Sequence, residues 1–511
     1  MSSPVAVIDL DLPGPTISRH VYGHFAEHLG RCVYGGFWVG EDSAVPNVGG
    51  IRSDVVEALR AISIPNLRWP GGCFADDYHW RDGVGPREAR PRMVNSHWGD
   101  VVEDNSFGTH EFMALCELLG ADPYVSGNVG SGSVREMSEW IEYLTRADDS
   151  PMAALRREHG RDEPWKVPFW GIGNEAWGCG GNLRAEQFAS LARQYATYVR
   201  EHAGNEVYRI AAGASDHDYH WTETLMRSFD PLEAGDGRAA PFQAVSLHYY
   251  TMTGPWSDKG SATQFDDDEW YLALSRAAHM EELLARHGAV MDRHDPKKRV
   301  GLVVDEWGTW WNVEPGTNPG FLYQQNTLRD ALVASLHFDA FHRHADRVVM
   351  ANIAQTVNVL QAMVLTDPET DALVLTPTYH VFAMNTGHHD AAALAVHLRG
   401  DVPTREVDGG ELPLVSASAS TRGDTALVSL TNLDADAART VVLDLRGRDV
   451  VGHTARALTA PALNAHNTAA TPDAVAPVLH DGVRAHERGL EVDLPAHSYV
   501  TVQLELAPAE E

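Results

Sequence analysis

Cysteine is scarce. Four in 511 residues cannot build a disulfide framework, and no paired Cys/His spacing of a zinc site appears. Basic residues are also few. Forty Lys and Arg stand against 71 Asp and Glu, a formal net charge of −31, which would repel a nucleic acid duplex or an anionic membrane surface. Neither is therefore expected as a partner. No uninterrupted apolar run approaches the roughly 18 residues of a membrane span. The start, Met1-Ser2-Ser3-Pro4-Val5, has neither the basic nor the long apolar region of an export signal, so a cytoplasmic location is expected. Internal repeats are absent too. What remains is a chain of ordinary globular composition, 44% apolar and 22% charged, long enough for two or three domains.

From residue 19 to 385 the chain keeps one rhythm of short apolar strand, loop and helix. Strands read at 21–25, 64–69, 123–126, 167–173, 209–214, 244–249, 300–304 and 348–354. Between them lie helical stretches such as 53–62 with Ser53 as N-cap, 109–119 with Thr109 as N-cap and Gly120 as stop, 133–144, 184–202, 269–287 and 323–343. Eight such units predict an α/β chain with its parallel strands closed into a (β/α)₈ barrel. The rival, an open doubly wound sheet, lacks its Gly-rich fingerprint after the first strand. From 386 to 511 the texture changes to alternating strands separated by turn-formers. In Tyr499–Leu506, for instance, Val500, Val502, Leu504 and Leu506 alternate with polar residues. That predicts an antiparallel β-sandwich, jelly-roll-like. Residues 1–18 hold one strand, Val5–Leu10, which has no barrel partner and is expected to join the sandwich.

Two barrel strands end on carboxylates. Pro168-Phe169-Trp170-Gly171-Ile172-Gly173 runs into Asn174-Glu175, and Gly301-Leu302-Val303-Val304 runs into Asp305-Glu306. The same short words recur at Asn205-Glu206 and Asp268-Glu269-Trp270, but there they stop or open a helix. Position separates the pairs, because a barrel keeps its chemistry at the C-terminal ends of its strands. Two carboxylates facing across a cleft are the apparatus of glycoside hydrolysis: one protonated to donate to the leaving oxygen, one ionised to attack the anomeric carbon. A retaining mechanism needs them roughly 5–5.5 Å apart. A Mg²⁺ site or a structural ion pair is the alternative use. The long loop 70–106 after the second strand, rich in Trp, His and Arg, is placed to wall a sugar pocket.

Five islands, in order and each at a strand end, carry a resemblance: Gly23-His24-Phe25-Ala26-Glu27-His28, Arg68-Trp69-Pro70-Gly71-Gly72, Gly173-Asn174-Glu175, Asp305-Glu306-Trp307 and Asn352-Ile353-Ala354-Gln355. From about His20 onward the chain resembles the α-L-arabinofuranosidases of glycoside hydrolase family 51. The resemblance implies a retaining, exo-acting enzyme that removes terminal arabinofuranosyl groups from arabinoxylan or arabinan oligosaccharides. It implies no cofactor and no metal, and assembly as a homo-oligomer, a hexamer in many members. Glu175 would be the acid/base and Glu306 the nucleophile. Asn174 would bond the sugar 2-OH, Glu27 would bind sugar hydroxyls unless it pairs with Arg68, and Arg68 would lie under the nucleophile. His248 and Tyr250, ending the sixth strand, would reach the site, the tyrosine on the nucleophile. Gln355 would touch the sugar. Trp310 and Trp311 would stack on it, and His97 and Trp98 would form a lid. Cys73 stands where some members carry a sugar-binding Asn, which puts that contact in question. Cys73 and Cys179 would reach the same mouth, as a disulfide or as free thiols. A hydrolase of another sugar (a β-D-galactofuranosidase, a β-D-xylosidase or an endoglucanase) and a non-catalytic carbohydrate-binding barrel are the other readings.

Overall fold

The computed structural model describes residues 3–228 and 241–508. Eight parallel strands close into a barrel. In chain order they are Gly23–Phe25, Asn66–Trp69, Asp122–Gly127, Phe169–Ile172, Tyr208–Ser215, Ala244–Thr251, Gly301–Thr309 and Val348–Ala354, and the eighth pairs back onto the first. The expected fold class is present. Buried strand runs such as Gly301–Thr309 pack the barrel wall on both faces. Inside it, Tyr124, Ile210, Ala244, Val303 and Met350 form a separate apolar layer below the mouth.

Several boundaries differ from the sequence reading. Val21 and Tyr22 belong to a 3₁₀ turn, leaving a three-residue first strand. Ser53 and Thr109 are the first helical residues rather than the caps. Arg52 stands at one cap, its guanidinium paired with Asp54. Gly108 stands at the other, where its N–H donates to Glu111 at 2.9 Å. The helix expected at 323–343 begins at Leu328, capped by Thr327 in a reciprocal arrangement with Asp330. Gly120 does end its helix, with φ +70°.

The C-terminal region forms a five-stranded and a six-stranded sheet around a core that includes Val428, Leu430, Val441, Val500 and Val502. The five-stranded sheet is not wholly antiparallel. Val5–Asp9 lies antiparallel to Val396–Arg399 but parallel to Arg439–Arg446. A strand delivered from the far end of the chain is free of the reversal a hairpin imposes. Helix Leu328–Arg343 is clamped between barrel and sheets and buried on all sides from Leu328 to His342. Among the described residues no helix is long and apolar enough to cross a membrane.

Candidate active site

The site begins with two glycines. After the second strand the chain passes Gly71 and Gly72 so closely that a Cβ on Gly71 would lie 2.6 Å from Glu27 Cγ, and one on Gly72 2.6 Å from Glu306 Oε1. That approach lets the N–H groups of Gly72 and Phe74 donate to Glu27 Oε1, each at 3.0 Å. Gln355 Nε2 donates to the other oxygen at 2.8 Å. Burial first, then the charge of Glu306, push the Glu27 carboxyl up to about 7 against these donors. The ion pair considered for Glu27 with Arg68 is not formed.

Arg68 serves the other carboxylates. Its guanidinium is 1% exposed and lies over the Phe25 ring. It donates to Glu306 Oε1 at 2.9 Å, the Asp305 carbonyl at 3.0 Å, Asn174 Oδ1 at 2.7 Å and Ser126 Oγ at 3.1 Å. The planar fork fixes three strand ends at once, which a lysine could not do. Tyr250 closes the opposite side, its hydroxyl donating to Glu306 Oε2 at 2.9 Å.

Glu306 and its neighbour Asp305 both point inward, which strict strand alternation forbids. A bulge resolves the conflict. Ser246 pairs with Val303 and His248 with Glu306, so the seventh strand carries one extra residue at this point, and the eighth strand records the same slip.

Glu175 follows the fourth strand in the left-handed region, φ +36°, a strain of roughly 1–3 kcal/mol for a residue with a side chain. The turn is held by Gly178 and Gly180 N–H bonds to its carbonyl and by a disulfide between Cys73 and Cys179. The two sulfurs lie 3.9 and 3.6 Å from Glu175 Oε2. Carrying no hydrogen, they cannot donate to it. The Glu175 side chain is 18% exposed and that of Glu306 7%, so the first faces the mouth and the second lies deeper. Burial, then the charge of Glu306, raise the Glu175 carboxyl above its usual range, and His248 only partly offsets them.

His248 lies between the acids, Nδ1 2.9 Å from Glu175 Oε1 and 3.5 Å from Glu306 Oε2, Nε2 3.1 Å from Asp305 Oδ1. Donor atoms of Glu175, His248 and Glu306 all fall within 4.8 Å of one another, close enough to share a cation. The ring argues against that use. With a carboxylate at each nitrogen it is held protonated, pushed up to about 10 by Glu306, Asp305 and Glu175 against its burial, and an imidazolium offers a metal no lone pair.

The remaining candidates divide. Trp98 packs against the core beside Glu27, while His97 is tied to Asp77 at 3.1 Å. Trp310 meets Tyr250 edge-on at 4.9 Å and Trp256 at 5.0 Å, so an aromatic wall leads from Glu306 outward to Trp256, 62% exposed. Trp311 is no sugar platform. It is 1% exposed, its N–H given to Asp330 at 2.8 Å. Cys73 offers no thiol, being disulfide-bonded. Asp305 and Tyr124 were not singled out from the sequence. Alternation turns Asp305 away from the site, and Tyr124 reads as an ordinary strand aromatic.

Known proteins are similar to this chain along most of its length. Residues 58–234 match the family description "Alpha-L-arabinofuranosidase 1 domain", and 305–498 match "Alpha-L-arabinofuranosidase C-terminal domain". The chain is 49% identical to an intracellular exo-α-L-arabinofuranosidase of Bacteroides ovatus, over 98% of this chain and 96% of that protein. It belongs to the α-L-arabinofuranosidases of glycoside hydrolase family 51. A solved family 51 arabinofuranosidase from Xanthomonas axonopodis pv. citri superposes with a TM-score of 0.94 at 51% identity, covering 98% of this chain and all of that one. The Thermotoga maritima α-L-arabinofuranosidase, solved with arabinose, gives 0.83 at 31% identity over 99% of this chain and all of the other.

Proposed function

We propose that the protein is a retaining, exo-acting α-L-arabinofuranosidase that releases terminal arabinofuranosyl groups from arabinoxylan or arabinan oligosaccharides. The arabinofuranoside follows the relatives' names, and the observation that supports the retaining route is that an oxygen of Glu175 and one of Glu306 approach within 4.8 Å, as befits a close pair of carboxyl groups rather than one parted by an attacking water. Glu306 is the nucleophile. Arg68 and Tyr250 hold both its oxygens and hence the direction of its attack. Glu175 protonates the leaving oxygen and then activates water. Its half-buried, strained position near the mouth and its raised proton affinity suit a group that must be protonated before attack. Asn174, its oxygen taken by Arg68 and its Nδ2 3.8 Å from Cys179 Sγ, has a further amide N–H to meet a sugar hydroxyl. Glu27, oriented by Gln355, meets others. Trp310 and Trp256 flank the leaving-group side, with Trp98 and His97 above. The name of the Bacteroides ovatus relative supports a place inside the cell, acting on oligosaccharides already taken up. Assembly as a homo-oligomer follows the resemblance, and light scattering in solution tests it.

The test is hydrolysis of 4-nitrophenyl α-L-arabinofuranoside beside the β-D-xylopyranoside and β-D-galactofuranoside, for wild type, Glu306→Ala and Glu175→Ala. Turnover of the arabinofuranoside alone is expected, abolished in Glu306→Ala. Because 4-nitrophenol leaves without a proton, Glu175→Ala loses more on an arabino-oligosaccharide, by the ~10²–10⁴ that general acid catalysis supplies. Preference for another glycoside would overturn the substrate, and an active Glu306→Ala the mechanism.

A further inference from the structure

The histidine between the two glutamates has a third acidic neighbour with no part in the chemistry above. Asp305 is 2% exposed. Its Oδ1 meets His248 Nε2 at 3.1 Å, and its Oδ2 accepts the Tyr124 hydroxyl at 2.7 Å with Arg68 Nε 3.7 Å away. Nothing about a strand end requires this. The bulge in the seventh strand costs a residue of register, and its effect is to bring a second carboxylate in beside Glu306.

The ring's surroundings fix its protons. A neutral imidazole would aim a lone pair at a carboxylate on one side or the other. A cation donates on both. Glu175 from the turn after the fourth strand and Glu306 from the seventh face Nδ1, and Asp305 faces Nε2. Arg68 and Tyr124, from the second and third strands, act on the ring through Asp305. These two also hold Asp305 in its anionic form. Burial opposes its ionisation, and Arg68, His248 and Tyr124 outweigh it.

Double displacement moves one negative charge across this ring. In the resting site the charge is on Glu306 and the proton on Glu175. When the Glu306–C1 bond forms, the C1–O bond breaks and the leaving oxygen takes the Glu175 proton, so the charge sits on Glu175. Water then gives its proton back to Glu175 as its oxygen displaces Glu306 from C1. Among the described side chains His248 Nδ1 is the donor that meets both acids, at 2.9 and 3.5 Å.

We propose that Asp305 is a positioning residue that anchors His248 as a permanent cation through Nε2, so that the Nδ1–H serves whichever of Glu306 and Glu175 carries the charge. The inference rests on the assignment of those two glutamates. His248 exchanges no proton in the cycle; it changes partner. Without the anchor, the same ring would take a proton from Glu175 in the resting site and return it at a cost in both half-reactions.

The experiment compares kcat/KM against pH for the full chain and its Asp305→Asn variant on 4-nitrophenyl α-L-arabinofuranoside. Asparagine keeps the shape and an acceptor toward Nε2–H but removes one negative charge. Every proton near it is then bound less tightly, so the basic limb moves to lower pH, by the ~1–3 units an adjacent charge is worth. Tyr124→Phe is the control. It loosens the same carboxylate but leaves its charge, so kcat falls while the basic limb stays. An unmoved limb in Asp305→Asn overturns the proposal, as does an equal shift in Tyr124→Phe. Should Asp305→Asn fail to fold, the nitrogen NMR shifts of the wild-type His248 ring, assigned by difference from His248→Asn, still decide. A doubly protonated ring at about pH 8, well above the ordinary histidine range, is expected. A neutral ring there overturns the anchor. A wild type inert on the arabinofuranoside would instead sink the hydrolase assignment and the exchange of partners, with the ring's charge state left to read the anchor alone.

Discussion

Replacing Gly72 by alanine tests the site where the backbone runs close against the proposed nucleophile, Glu306. The φ of Gly72 is −88°, so alanine brings no left-handed penalty. The effect to be read is the close contact made by the added methyl group. It would lie 2.6 Å from Glu306 Oε1, about 0.8 Å short of the 3.4 Å where ordinary contact begins, with Asn174 Nδ2 and Phe25 Cζ already at 3.4 Å. Glu306 cannot swing aside freely, since Arg68 grips Oε1 at 2.9 Å and Tyr250 grips Oε2 at 2.9 Å. Either the carboxylate moves by several tenths of an ångström and loses one donor, or the glycine turn moves and loosens Glu27. A misplacement approaching 1 Å costs about 10²-fold in rate, or ~2.7 kcal/mol of barrier. Overpacking adds ~1–3 kcal/mol of destabilisation. The assay is kcat on 4-nitrophenyl α-L-arabinofuranoside beside a calorimetric melt. The expected result is a 30- to 300-fold fall in kcat, on the order of that misplacement cost, with a melting temperature lowered by only a few degrees. Activity within about twofold of wild type would refute the claim that this glycine is required by Glu306, because a contact that short cannot be relieved without moving the carboxylate.

The disulfide and the buried histidines can be tested in the same way. Removing the disulfide with Cys73→Ser and Cys179→Ser opens a loop of sequence separation 106 and costs about 2–4 kcal/mol. With ~2.1 cal/mol/K per residue of unfolding entropy that is a melting shift of a few degrees, read by calorimetry, and the released turn lowers kcat more than KM rises. At the interface of barrel and sheets, His388 bonds Ser420 at 2.7 Å and Ser429 at 2.8 Å. Burial holds it neutral at about 3 and His389 at about 4. Folded values below the unfolded 6.5 mean that stability is whole above 6.5 and is lost as pH falls from there toward 3, by up to ~1.36 kcal/mol per pH unit for each such ring. The melting temperature should drop on acidification from 7 to 5, and the slope should flatten in His388→Gln. An unchanged slope would refute the assignment.

How much of this was legible beforehand is clear from particular residues. Glu175 and Glu306 stand out in the sequence because each ends an apolar run, although the seventh strand itself continues past Glu306 to Thr309. The decoys at Asn205-Glu206 and Asp268-Glu269 fail the same test, and Glu269 stands in the first turn of the helix that begins at Asp267, closing a capping box with the N-cap Asp266. Trp311 departs from the expected stacking role, because two adjacent tryptophans look alike in sequence and only Asp330, arriving at the start of helix Leu328–Arg343, takes the N–H of one of them into the core. Ser53 and Thr109 lie one residue inside their helices rather than at the caps: Arg52 holds the first cap position without a side-chain cap bond, and Glu111 takes the Gly108 N–H at the second.

The sequence by itself determined the barrel and marked two carboxylates at the ends of apolar runs, since these follow from local periodicity, but it did not fix every strand end: the seventh strand runs on past Glu306 to Thr309. The tertiary structure decided which neighbours those acids meet. A one-residue bulge turns Asp305 inward beside Glu306. Arg68 goes to Glu306 and Asp305 rather than to Glu27. Cys73 joins Cys179 across 106 residues and borders Glu175. Each is a choice between partners far apart in the chain, made by the shape of the closed barrel, and no local pattern of residues encodes it.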